Sequence, residues 1–431
     1  CGLLPALRML RSDLAGVLKQ GSKGASSSGH HRTHNLLVVS EIAMSLIPLI
    51  GAGLLLRSFQ HLIDVDPGFR ADHLLTMEVQ QPAVSFAQSA QLSDNEQLKL
   101  GEKQSLQFQQ IADQIRTLPG VKEVGGVTVL PLGTEFRSAS RFVIEGQPAL
   151  VAGARPIAQT RVVAIGFLGA LGIPLRAGRL FQEEDWKLQN NIVINEAMER
   201  RFWPDGDAMG KRVNFCSLDP KPCWFSIVGV VGNVHQFGLD AAPTFDTYFI
   251  GGWTPYVVVR TASDPVAMAS AVTEVVHRAD PNLPVTHVRT MDGLLSDSVS
   301  PRRFSAVLIG IFAGLAMLLA AVGIYGVMSY TVSQRTQEIG VRMALGAQMG
   351  SVRRMILGQT LRLTLAGLGI GLAGAMVVAR LLTSLLFGVR AYDPITFVGV
   401  AALLMSVAVA ASYLPARRAM RVDPMVALRY E

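Results

Sequence analysis

The sequence predicts a membrane protein with four transmembrane α-helices and a large mixed α/β extracytoplasmic domain between helices 1 and 2. Composition is the first ground. Half of the residues are hydrophobic, 16% are charged and mean hydropathy is +0.35, whereas soluble domains carry about a quarter charged residues. The second ground is run length, because a hydrocarbon core takes about 20 apolar residues at about 1.5 Å rise each. Such runs lie at 36–56, 304–328, 363–387 and 395–413, the last closed by Pro415, Arg417 and Arg418. The third ground is the ordinary mixed composition of 57–303, which is long enough to fold as a domain of its own.

Cationic residues near the span ends set the orientation. Arg8, Arg11, Lys19, Lys23 and Arg32 precede the first span, Arg335, Arg342, Arg353 and Arg354 follow the second, and Arg417, Arg418, Arg421 and Arg429 follow the fourth. Four spans put all three groups on one side, the cytoplasm. The other side holds Arg390 in the 388–394 hairpin, with Arg57, Arg302 and Arg303 at the edges of the large domain. They weaken the bias without reversing it. Topology thus accounts for the net charge of +7, and nucleic acid is not an expected partner.

Within the external domain, residues 73–80 suit a strand, and 96–118 suit an amphipathic helix with Leu98, Leu106, Ile111 and Ile115 among its apolar positions, stopped by Pro119-Gly120. The stretches VKEVGGVTVLPL, RFVIEGQP, ARPIAQTRVV, NNIVINEAM and WFSIVGVVGNV read as strands bounded by Gly, Pro or Asn. Residues 265–279 read as a further helix. Cys216 and Cys223 share a loop region on the outside, where an oxidising compartment permits a disulfide if geometry allows. A lipidated Cys1 would place the basic residues 8–32 outside, against the charge rule.

Catalysis finds little support. There is no G-x-S-x-G elbow and no HExxH, and the histidines of the external domain lack ligand spacing. The segment Gly206 to Arg212 has three residues between its glycines and Arg212 after Lys211, so it is no phosphate loop. His30, His31 and His34 sit in QGSKGASSSGHHRTHN, which reads as a solvated linker at 21–35. Residues 185–187 and 200–207 read as domain framework. In the spans, Glu41 is an acid near the cytoplasmic start of span one, within reach of headgroups or of an arginine in the loop after span two. Gly310-x-x-x-Gly314 and Gly367-x-x-x-Gly371 permit close helix approach.

The most specific pattern follows span two. Gln337-Glu338-Ile339-Gly340-Val341-Arg342-Met343-Ala344-Leu345-Gly346-Ala347 resembles the cytoplasmic coupling segment of ABC permeases of the MacB/FtsX type. Further resemblance to the MacB-like periplasmic core comes from Leu118 to Val121, Leu171 to Arg179, Ile194 to Ala197, Arg201 to Pro204 and Ile227 to Gly232, in family order. Val39 to Ala43 and Gly51 to Leu55 extend it into span one. The resemblance covers 36–431 and implies an FtsX-like permease domain at 304–431, with the coupling segment inside the cytoplasmic stretch 329–362. It also implies that Glu338, Gly340, Arg342 and Gly346 meet an ATPase. Glu338 and Arg342 are four apart and can pair on one helix face.

No Walker motif is present, so the resemblance implies no cofactor in this chain and ATP bound by a cytoplasmic ABC ATPase subunit. Leu4 to Asp13 matches Leu414 to Asp423 without gaps, in register to Leu18 and Leu428. Residues 1–20 therefore read as the tail of a preceding permease unit, as in duplicated, Acidobacteria-type MacB-like permeases. Expected partners are that second permease unit or a homodimer mate, membrane lipid, and a periplasmic adaptor or outer-membrane channel. The expected location is the bacterial inner membrane, with the large domain in the periplasm. An FtsX-like scaffold activating an external hydrolase is the alternative. A transmembrane sensor fits less well, because the loop after span two is too short for a signalling module.

Overall fold

The apolar stripe of span one and the alternating apolar residues of the external strands each build a core. The computed structural model describes residues 27–80, 94–133, 138–147, 155–216, 223–251, 254–334 and 349–419. The chain divides into two compact units, one of residues 1–59 with 305–431, the other of residues 60–304.

Among the described residues, the first unit holds four helices long and apolar enough to span a membrane: α1 (Ser27–Ile63), then three from the C-terminal part. Its core is a stripe on α1, Val38, Ile42, Leu46, Ile50 and Leu54, all buried at the four-residue spacing of one helix face. The helix begins at Ser27, inside the stretch read as a linker at 21–35. Once the apolar turns have nucleated, each added residue gains a hydrogen bond at little cost, so the helix extends into polar sequence.

In the second unit, the described residues form twelve strands in one sheet. In chain order come β1 (Leu74–Val79), α2 (Asp94–Arg116), β2 (Val121–Val127), β3 (Ala139–Arg141), β4 (Val143–Ile144), β5 (Ile157–Val163), α3 (Phe167–Ala170), β6 (Leu175–Gly178) and α4 (Glu183–Leu188). They continue with β7 (Asn191–Asn195), α5 (Glu196–Phe202), β8 (Arg212–Asn214), β9 (Trp224–Val231), β10 (Asp246–Ile250), β11 (Tyr256–Thr261), α6 (Pro265–Ala279) and β12 (Val285–Thr290). The strand order is β12-β1-β11-β2-β5-β10-β7-β9-β8-β4, with β3 added on β5 and β6 on β9. Only β10 with β5 and β7 with β9 run parallel among the described pairs.

Strand alternation separates two cores. On β11, Val257 and Val259 face α2 and α6, while Val258 faces the opposite layer with Phe167, Leu171 and Tyr248. Gly125 on β2 lets α3 approach, since a Cβ there would fall 2.3 Å from the Phe167 backbone. Helix α2 buries Phe108, Ile111, Ala112 and Ile115. Leu106, expected on that face, is 52% exposed, because Ser105 takes the inward position. Helix α6 starts on Asp264, whose carboxylate accepts from Val266 N.

Three helices complete the membrane unit: α7 (Met291–Gln334), α8 (Met349–Leu381) and α9 (Pro394–Ala419), with a 3-10 turn at Leu382–Leu385. The apolar spans are His34–Ile63, Met291–Gln334, Leu357–Leu381 and Pro394–Pro415. Span three thus begins and ends six residues before the expected 363–387. The stretch expected as the cytoplasmic segment, 329–362, is helical at both ends, closing α7 at Gln334 and opening α8 at Met349. Pro415 does not end α9, which runs on to Ala419; so near the terminus, the proline removes one hydrogen bond without breaking a long ladder.

Candidate functional site

The coupling residues Glu338, Gly340, Arg342 and Gly346 lie in 335–348, outside the described residues. The helices on either side of them, α7 and α8, are described. Helix α1 is clasped by α8 through two glycines: a Cβ on Gly367 would fall 2.8 Å from Ile42 Cβ, and one on Gly371 2.9 Å from Leu46 Cδ2. That spacing is the small-residue contact read from the sequence. The other motif has a different role, for a Cβ on Gly310 or Gly314 would meet nothing within 4 Å. The surrounding face of α7 is exposed, with Phe312 at 58%.

Helix α7 meets α1 through polar groups. A Cβ on Gly323 would land on the Glu41 carboxylate, and Ser45 Oγ donates to Ala316 O at 3.2 Å and to Glu41 O at 2.7 Å. Among the described residues Glu41 has no ion-pair partner. Closer to the segment, Thr360 Oγ1 on α8 reaches Met328 Sδ on α7 at 3.4 Å. The His34 and Tyr330 rings lie 5.0 Å apart. Helices α7 and α8, which flank 335–348, are therefore each tied to α1 and to one another.

The opposite end of the spans carries a second fastening. Asp393 pairs with Arg57 of α1 and caps α9, its Oδ2 accepting from Thr396 N at 2.9 Å and Thr396 Oγ1 at 2.6 Å. Burial opposes ionisation, but the hydrogen bonds from Thr396 and Arg57 hold this carboxyl below the usual carboxylate range. Ser58 Oγ accepts from Phe387 N at 2.7 Å. Arg302 pairs with Asp240. Two of the four cations named on this side, Arg57 and Arg302, are thus neutralised in place.

In the sheet unit, Cys216 and Cys223 are bonded, with Cα atoms 5.7 Å apart. Asp185 is framework: its carboxylate accepts from Arg179 Nη2 at 2.8 Å, Gln182 N at 2.8 Å and Asn191 Nδ2 at 2.6 Å. The Arg179 hydrogen bond foremost holds it down to about 2. Asp246 is buried, its Oδ1 accepting from Arg161 Nη1 at 3.0 Å and Thr244 Oγ1 at 3.2 Å. Burial pushes it up to about 6 despite that guanidinium. In the region that superficially offered a phosphate loop, Lys211 pairs with Asp207 at 3.1 Å and Arg212 with Glu145. No cluster of three metal-binding side chains occurs among the described residues. The Glu41–Gly323 contact was not visible in the sequence, although an acid inside a span was a signal for it.

Comparison with known proteins agrees with this architecture. Residues 42–278 match the MacB-like periplasmic core domain, and residues 310–424 match the FtsX-like permease C-terminal domain. The macrolide export ATP-binding/permease protein MacB of Neisseria meningitidis serogroup A is 26% identical over 279 residues, 60% of this chain and 41% of that protein. The ABC transporter permease YknZ of Bacillus subtilis is 24% identical over 332 residues, 73% of this chain and 78% of that one. The chain spans about two-fifths of the length of the MacB relatives it matches. The crystal structure of the periplasmic region of MacB from Actinobacillus actinomycetemcomitans aligns with a TM-score of 0.34 at 15% identity, over 55% of this chain and 96% of that one. With the core-domain match covering more than half of its residues, this chain belongs to the MacB-like ABC transporter permease family, as a multi-pass inner-membrane protein with a periplasmic core domain.

Proposed function

We propose that the chain is the permease subunit of an ABC transporter that couples ATP hydrolysis by a separate ATPase to movement of its periplasmic domain, driving export or extraction from the outer face of the membrane. ATP is bound by the partner, and Glu338, Gly340, Arg342 and Gly346 form the surface that the partner displaces. A second permease unit completes the pair that an ATPase dimer acts on, and a periplasmic adaptor or outer-membrane channel receives the substrate.

One observation supports this reading above the rest. Helix α7 runs without interruption from Met291, directly after β12, to Gln334, directly before the coupling stretch. It thereby joins, along the chain, the last strand of the sheet unit to the stretch that the ATPase would push. The relatives named for macrolide export are joint ATP-binding/permease proteins.

The test is to purify the chain with its ATPase, in membranes, carrying Glu338→Lys or Gly346→Trp. Stimulated ATP hydrolysis and transport should fall to the level of the isolated ATPase, with membrane insertion unchanged. Full stimulation in both variants would refute the assignment. Loss of activation of an external hydrolase with no change in transport would favour the scaffold role.

A further inference from the structure

We propose that a basic groove between α1 at Asn35 and the first four turns of α8 binds the anionic headgroup of an inner-leaflet phospholipid. The groove has a volume of about 730 Å³ and is lined by Asn35 of α1 and by Ser351, Arg354, Gly358, Gln359 and Arg362 of α8. Positions 351, 354, 358 and 362 recur at three- and four-residue spacing, so they share one helix face. Both arginines are exposed, and a Cβ on Gly358 would meet nothing within 4 Å, so the floor is open.

Among the described residues, charge is uncompensated here. Helix α8 contains no acidic residue, and the first acid along α1 is Glu41, a turn and a half beyond Asn35 and packed on Gly323 instead. Neither Arg354 nor Arg362 forms an ion pair among the described residues. The two guanidiniums offer the planar forks that bind phosphate oxygens bidentately, with Ser351, Gln359 and Asn35 as neutral donors beside them.

Depth selects a lipid as the source of the anion. The span of α8 begins at Leu357 and that of α1 at His34. Arg354 therefore lies about 4.5 Å before the span and Arg362 about 7.5 Å inside it, which brackets the headgroup layer, and Asn35 is level with the start of span one. One turn deeper on the same face Leu365 is 54% exposed, giving an acyl chain an apolar track below the phosphate. This end of the spans is cytoplasmic, the leaflet in which basic pockets between helices meet anionic headgroups.

The experiment measures phospholipid retained by the full chain after reconstitution into phosphatidylcholine vesicles with or without phosphatidylglycerol. Parent protein should retain phosphatidylglycerol selectively. The double variant Arg354→Ala/Arg362→Ala should bind it about 30-fold more weakly, from roughly a fivefold loss per cation at the surface. Gly358→Leu fills the groove, keeps both charges and improves helix propensity; it should lose the same selectivity and serves if the double variant does not insert. Equal retention of phosphatidylglycerol by parent and both variants would overturn the proposal. So would displacement by inorganic phosphate as effective as by phosphatidylglycerol, which would make the site one for a soluble anion. Unchanged lipid retention with weakened ATPase binding would assign the groove to the protein partner.

Discussion

The Glu41 carboxylate rests directly on the Cα of Gly323, where any side chain would collide with it. An acid on one membrane helix thus has its place set by the absence of a side chain on another. Overpacking of such a contact costs about 1–3 kcal/mol. Gly323→Leu should therefore lower the thermal stability of the chain in detergent, and adding Glu41→Ala should recover most of the loss. Additive losses in the double variant would show that the two positions do not share this space.

The two glycine pairs should separate by substitution. Gly371→Ile drives a branched side chain into Leu46 and Ala43 and should destabilise the helix unit by about 1–3 kcal/mol. Gly310→Ile faces open space and should be neutral within about 0.5 kcal/mol. Detergent-unfolding midpoints of the two variants compare them directly. Equal losses would mean that Gly310 also meets a helix.

At the outer end, Asp393 serves α9 and Arg57 together. Asp393→Ala removes a cap and an ion-pair partner, for an expected loss of about 1–2 kcal/mol. Asp393→Asn keeps a capping oxygen and should lose less than half as much. If the two substitutions cost the same, the charge pair with Arg57 and not the cap dominates.

Two carboxyls give the periplasmic domain opposite pH responses. All four tryptophans lie between residues 186 and 253, so their fluorescence reports unfolding of this domain. Asp185 is held near 2, below the unfolded value of about 3.9. Its contribution is present above about pH 4 and is lost as pH falls towards 2. Asp246 is raised to about 6, so between about pH 4 and 6 the folded state binds the extra proton and stability declines as pH rises. Asp185→Asn should flatten the acid limb, and Asp246→Asn should flatten the decline between about pH 4 and 6. A variant that leaves its own limb unchanged would contradict the corresponding shift.

Elements with local punctuation were legible in the sequence. Helix α6 spans the expected 265–279 because Asp264 caps its start and Asp280-Pro281 follows its end. Apolar run length showed the four spans, the third displaced by six residues. What escaped was set by partners remote in sequence: Leu106 looked inward by type, but the facing layer chose Ser105. Strand β10 gave no alternation to read, since Asp246 and Thr247 are polar and yet buried by pairing with β5 and β7. The Gly367 and Gly371 pair could be read as a contact face, yet nothing local distinguished it from Gly310 and Gly314. That difference lies in what α1 presents opposite each.

The buried stripe of α1 also sets a schedule for biogenesis. Its partners on α8 and α9 start at Met349 and Pro394, so the ribosome completes α1 and then the whole periplasmic domain before they exist. At roughly 5–20 residues per second this delay is about 15–60 s. During it, Ile42, Leu46 and Ile50 face lipid or the translocon, and Glu41 stands in the bilayer without its seat on Gly323. A nascent chain stalled in this interval carries an ionisable span without its partner helices, and membrane quality control would have its longest opportunity to recognise the protein there.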